Sequence, residues 1–201
     1  MKSLQNYSFI LFSSLLIAAF TFGDCCHANE YIKIKNIPPP QIIAENGKAK
    51  MLYGEVIRKQ QMRLHPTLKH IVVSDKRYLH ITNVWFKELV KWTEEVFTQL
   101  VPDIKKSGKL PKAYSGTFAT FMTNMANVAI SKRYNIKGSA LIGLGVAKNM
   151  KPWGTTKADG KKRDYIIALT ESGYIVYDFR THQMTTGKKF PNRDYLTGLI
   201  F

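Results

Sequence analysis

Apolar positions in residues 83–101 (NVWFKELVKWTEEVFTQLV) recur at helical spacing, with Trp85, Leu89, Trp92 and Val96 on one face and Phe86, Val90, Phe97 and Leu100 beside it. This wide stripe predicts a core-facing helix, capped by Thr82 or Asn83 and ended by Pro102. Residues 116–134 predict a second helix, with Phe118, Met122, Met125, Ala126 and Ala129 as its stripe and Ser115 as its N-cap. Three strand patterns follow: residues 139–146 (SALIGLGV), residues 165–170 (YIIALT) and residues 173–179 (GYIVYDF). The last two form a hairpin about Glu171-Ser172-Gly173, and residues 195–201 predict a final short strand. Residues 51–53 and 70–73 are apolar runs too short for their period to decide between helix and strand. The predicted fold class is α+β, a central helix packed on an antiparallel sheet.

The start of the chain reads differently. Lys2 is followed by an apolar stretch of signal-peptide length over residues 9–22 (FILFSSLLIAAFTF), then by Gly23-Asp24 and Cys26-His27-Ala28. This is the pattern of a cleavable export signal, with small residues at Cys26 and Ala28 suited to signal peptidase. Residues 1–28 are therefore expected to be a signal peptide, residues 29–48 an extended arm through Pro38-Pro39-Pro40, and residues 49–201 a single domain. An uncleaved anchor, or lipidation at Cys25 or Cys26, remains the alternative. Cleavage after Ala28 removes both cysteines, which excludes disulfides, thiolate metal sites and a cysteine nucleophile from the mature chain. The expected location is periplasmic or secreted, with no transmembrane span after cleavage.

Charge sharpens the picture. The chain carries 30 basic and 14 acidic side chains, a formal net charge of +16. The export segment holds one of each, Lys2 and Asp24, so the whole surplus stays with the mature protein. Three basic clusters contain Gly or Pro and predict loops. They hold Lys105, Lys106, Lys109 and Lys112, then Lys161, Lys162 and Arg163, and lastly Lys188, Lys189 and Arg193. A positive field of this size selects anionic partners: an envelope polymer, a lipid headgroup, an acidic protein or nucleic acid. Solubility alone is the plainer account of the same charge.

The order helix, strand, basic loop, hairpin, with YSGTFATF at a helix start and RDYIIALTESGYIVYDFRTHQ across the hairpin, resembles the core of papain-like and transglutaminase-like cysteine enzymes. The resemblance covers residues 114–183. It implies a nucleophile site at Ser115, a histidine site at Asp164 and an orienting acid at Asp178. Two of these differ from the family's residues. An aspartate with an ordinary pKa of about 3.9 is a poor base at neutral pH for a serine hydroxyl. The resemblance therefore implies a non-catalytic relative, a pseudoenzyme. The plainer account makes Ser115 a helix cap, Asp164 a surface acid and Asp178 a hairpin closer.

No cofactor is expected. His65 and His70 are five apart and do not share a helix face, and His80 and His182 have no partner at ligand spacing, so no metal site is expected. Residues 138–145 (GSALIGLG) lack the order of a phosphate-cradling loop and predict a close-packed strand. The resulting expectation is an exported, basic, non-catalytic binding protein that engages the cell envelope or an envelope-spanning assembly. The alternative is a hydrolase or acyltransferase using Ser115, with His182 the nearest histidine to serve it.

Overall fold

The computed structural model describes residues 37–101, 115–134, 142–147, 163–191 and 193–201. The expected signal segment, the first eight residues of the arm and most of two basic loops lie outside them.

Two adjacent strands set the layering. β7 (Arg163–Thr170) and β8 (Gly173–Asp178) pair antiparallel, with Thr170 opposite Gly173 and Ile166 opposite Tyr177. Successive side chains of a strand point to opposite faces, and both sets here are apolar. Tyr165, Ile167, Leu169, Tyr174 and Val176 enter one core, while Ile166, Ala168, Ile175 and Tyr177 enter another. A strand pair apolar on both faces must be covered twice.

The first cover is helical. α2 (Asn83–Leu100) begins where Thr82 Oγ1 accepts from the Trp85 backbone N–H at 3.1 Å, which satisfies one of the orphan donors of the first turn. It buries Trp85, Phe86, Leu89, Val90, Trp92 and Phe97. α3 (Ser115–Tyr134) lies against α2 and against β6 (Ile142–Ala147) and β7. Phe118 of α3 stacks on Phe179 with ring centres 5.0 Å apart and meets the edge of Phe97 at 5.2 Å. The second cover is α1 (Gly54–Leu64), whose Ile57 is fully buried with Leu196, Leu199 and Phe201 in the opposite core.

The six-stranded sheet adds β4 (His70–Val72), β9 (Gln183–Thr186) and β10 (Leu196–Ile200), in the order β4-β10-β6-β7-β8-β9. It is antiparallel except for β4 and β10, which run parallel. Two small ladders complete the described structure. β1 (Ala44–Glu45) and β2 (Lys48–Ala49) form a hairpin, and β3 (Met51–Tyr53) pairs with β5 (Arg77–Leu79). Asn46 and Gly47 both have positive φ, 53° and 72°, the backbone that a two-residue turn between strands requires. Ile81 joins the ladders to the main sheet, bridging antiparallel to Ile42 and parallel to Thr170. Pro38 and Pro40 are held through their carbonyls, by the Trp85 indole N–H at 3.0 Å and the Tyr134 hydroxyl at 2.8 Å.

The expected single central helix on an antiparallel sheet is corrected. Among the described residues three helices occupy the two faces of a mixed sheet, because β7 and β8 present apolar side chains on both sides. None of these helices is long and apolar enough to cross a membrane.

Close packing at the start of α1 leaves no room for a side chain. A Cβ on Gly54 would lie 2.6 Å from the Asp75 carbonyl oxygen and 2.7 Å from Val73 Cγ1. Gly54→Ala is expected to cost about 1–3 kcal/mol through overpacking, and Thr82→Ala about 1 kcal/mol through the lost cap. Urea denaturation checks both: each midpoint should fall with an unchanged slope, and a wild-type midpoint for Gly54→Ala would contradict the packing described.

Candidate functional site

The Asn46-Gly47 turn folds the chain back so that the Lys50 N–H donates to the Ile43 carbonyl at 2.8 Å. His80 is locked between them, donating its N–H to the Lys50 carbonyl and accepting from the Ile43 N–H. Beside this knot, α1 brings Gln60, Arg63 and Leu64 to one face by the three- and four-residue spacing of helical neighbours. The β7–β8 turn, with Gly173 at φ 88°, presents Thr170, Glu171 and Tyr174 from the third side. These three pieces line an open pocket of about 500 Å³.

Its chemistry is mixed. Ile43, Leu52, Leu64 and Leu169 give apolar lining. The Tyr174 hydroxyl donates to Gln60 Oε1 at 2.8 Å, and burial pushes its phenol up to about 12. His80 is 9% exposed, and its Nε2 has no hydrogen-bond partner among the described residues. Burial holds its pKa below the ordinary imidazole value, helped by the nearby Lys50 and opposed by Glu45, so the ring is neutral at pH 7. Lys50 Nζ sits 3.8 Å from Glu45 Oε2, a loose and half-exposed pair. Arg63 is exposed on the rim and makes no ion pair among the described residues. The pocket's carboxylate, Glu171, is engaged elsewhere: its Oε2 accepts from the Asn83 backbone N–H at 2.7 Å, at the positive end of α2.

The residues expected to carry chemistry do not share this pocket. Ser115 is the first residue of α3 rather than the cap before it. Asp164 lies within β7, not in a loop, and its Oδ2 would be 3.5 Å from a Cβ at Gly116. Asp178 ends β8, is buried, and accepts from the Arg180 N–H at 3.0 Å, so it closes a turn. Among the basic residues, Lys105, Lys106, Lys109, Lys112, Lys161 and Lys162 lie outside the described residues. Arg163 opens β7. Lys188 and Lys189 are exposed on one short 3-10 turn and Arg193 on another, its Nε 3.5 Å from Asp194 Oδ1.

One cluster has no signal in sequence spacing. Glu94 Oε1 accepts from the Tyr177 hydroxyl and from His182 Nδ1, the latter at 2.7 Å. Burial, reinforced by Glu94, pushes the Tyr177 phenol far up. His182 is thus tied to α2. Among the described residues no group of three histidine or acidic side chains is placed to hold a metal ion.

No protein-family model and no curated protein matches the sequence. Solved structures do match. One is the PSL1a-E64 complex, with a TM-score of 0.53 and 12% identity, covering 75% of this chain and 50% of that chain. Another is Polyporus squamosus lectin bound to the human-type influenza-binding epitope Neu5Aca2-6Galb1-4GlcNAc, with a TM-score of 0.53 and 11% identity, covering 75% of this chain and 49% of that chain. Three quarters of the chain thus shares a fold with part of a lectin chain, and the match spans about half the length of each of these structures. The neighbour whose name states a function is a lectin, which overturns the expected papain- or transglutaminase-like core and with it the description as a pseudoenzyme of that kind.

The buried histidines make stability depend on pH. His65 is 2% exposed, and its Nδ1–H donates to the Arg193 carbonyl at 3.1 Å. Burial holds both His65 and His80 below their ordinary pKa. The unfolded chain therefore takes up protons below about pH 6.5 that the folded chain refuses, so stability falls as pH drops through that value toward the lowered folded ones. Urea midpoints at about pH 7.5 and pH 5.5 should show the drop, and the double variant His65→Gln/His80→Gln should show less of it. An equal drop in both proteins would refute burial as its cause.

Proposed function

We propose that this protein is an exported, non-catalytic carbohydrate-binding protein whose ligands are anionic glycans of a cell envelope or extracellular matrix. One observation supports the reading: three quarters of the chain shares its fold with about half of a lectin chain solved in complex with a glycan. The formal charge of +16 supports an anionic rather than a neutral glycan, because a positive surface field concentrates polyanions. The export pattern of residues 1–28 supports an extracytoplasmic place of action, where such polymers occur. The basic residues are the expected long-range attractors. Lys188, Lys189 and Arg193 are exposed and close in sequence, and Lys161, Lys162 and Arg163 add to the same sign.

The test is retention of the mature chain on immobilised polygalacturonate compared with neutral dextran. The acidic matrix should retain the protein, and rising salt should release it as the charges are screened. Reversing charge at Lys161, Lys162, Arg163, Lys188 and Lys189 should weaken retention by about tenfold, roughly 1.4 kcal/mol. No retention on either polysaccharide would sink the carbohydrate reading. Equal retention of wild-type and charge-reversed protein would sink the part assigned to the basic residues.

A further inference from the structure

α1 has one face in the core and the other in water. Gly54, Ile57 and Gln61 are buried at the three- and four-residue spacing of helical neighbours, so Val56, Arg58, Lys59, Met62 and Arg63 are left to the outside. Lys76 and Arg77, both exposed, extend the positive charge to the start of the helix. The Lys76 carbonyl accepts from the Gly54 N–H at 3.0 Å, and Arg77 lies opposite Tyr53 in the β3–β5 ladder. None of the cations Arg58, Lys59, Arg63, Lys76 and Arg77 makes an ion pair among the described residues. Two acids stand against them, Glu55 in the first turn and Asp75, whose carbonyl oxygen packs on Gly54.

The same segment exposes apolar surface. Nine large hydrophobic side chains are exposed among the described residues, and four of them, Met51, Tyr53, Val56 and Met62, fall within residues 51–62. Tyr53, 61% exposed, is the most open of the nine, and Met62 is 53% exposed. Met51 and Tyr53 are two apart on one strand and so share a face. Single exposed hydrophobics are ordinary on a protein surface, whereas a group of them interleaved with unpaired cations marks a surface for a partner.

The combination decides the kind of partner. A dissolved polyanion rewards the cations alone and gives the exposed apolar atoms nothing. A bilayer of anionic lipids presents phosphate charge on the outside and an apolar boundary just below it. Lysine and arginine stems reach along apolar surface while their heads stay among the phosphates, and a tyrosine ring seats at headgroup level with its hydroxyl wet.

We infer that the outward face of α1, with Tyr53 ahead of it and Arg77 beside Tyr53, docks the protein on an anionic phospholipid bilayer, its cations among the lipid phosphates and Tyr53 and Met62 at the acyl boundary. The inference goes beyond the carbohydrate reading and does not depend on it. It uses none of the basic residues assigned there to attract the polymer.

The experiment is sedimentation of the mature chain with vesicles of phosphatidylcholine alone and of phosphatidylcholine mixed with phosphatidylglycerol. Only the anionic vesicles should carry the protein down, and rising salt should weaken the binding without abolishing it. Arg58→Gln/Lys59→Gln/Arg63→Gln should weaken partitioning at least about tenfold, since each cation at an anionic surface is worth roughly fivefold. The charge-matched control Lys87→Gln/Lys91→Gln/Lys132→Gln, at exposed positions of α2 and α3, should cost less than about threefold, through the net field alone. Tyr53→Ser/Met62→Ser keeps the net charge and should remove the binding that survives high salt, with retention on polygalacturonate as in the wild type. Urea midpoints of all three variants should stay near that of the wild type, because every substituted side chain is exposed.

Equal binding to both kinds of vesicle, a control that weakens binding as much as the α1 variant, or a Tyr53→Ser/Met62→Ser variant that binds like the wild type would each overturn the docking face. Tighter binding to a single-stranded oligonucleotide than to the anionic vesicles, lost on Tyr53→Ser, would hand the face to nucleic acid and overturn it too. Retention on polygalacturonate without vesicle binding would overturn it and leave the carbohydrate reading standing. Vesicle binding that follows the α1 variants, without polysaccharide retention, would do the reverse.

Discussion

The fold depends on β7 and β8 being apolar on both faces. An ordinary antiparallel hairpin has one wet face and needs one cover, whereas this pair places Ile166, Ala168, Ile175 and Tyr177 on one side and Tyr165, Ile167, Leu169 and Val176 on the other. Each face must lose its water to a different set of partners. α2 and α3 supply one cover, and Ile57 of α1 with Tyr78 and Phe190 lies in the core on the other. The pocket forms beside α1, where Gln60, Arg63 and Leu64 face the turn after β7.

How much of this was legible in the sequence followed the range of the forces involved. α2 announces itself by a long period, a capping threonine and Pro102, and the structure begins it at Asn83 and ends it at Leu100. The β7–β8 hairpin was legible for the same local reasons. α1 was not, because only Gly54, Ile57 and Gln61 are buried along it, too few apolar positions to mark a stripe. β1 to β3 and β5 are two or three residues long, and β3 and β5 exist through distant pairing with each other, Met51 with Leu79 for example. The Asn46-Gly47 dipeptide was the local signal available for the first hairpin. The parallel pairing of β4 with β10 joins residues more than a hundred positions apart, and no local period encodes it.

The candidate site was hidden for a related reason. Lys50, Arg63, His80 and Tyr174 come from four segments that share no motif, so spacing could not collect them. Ser115, Asp164 and Asp178 were conspicuous through resemblance to an enzyme core, yet the named structural neighbour is a lectin and the pocket lies with other residues. A sequence pattern records which side chains exist. Which of them remain unpaired after folding, as His80 Nε2 does, is decided by packing.

The indole of Trp85 illustrates what such packing makes observable. Its ring is fully buried, and its single N–H is committed to the Pro38 carbonyl, a group on the segment that leads into the first hairpin. That segment also carries Ile43, which lines the pocket. The chromophore is thereby an internal optical gauge: lifting the proline segment would strip the indole of its acceptor and wet its surroundings, shifting its emission to the red without any attached label.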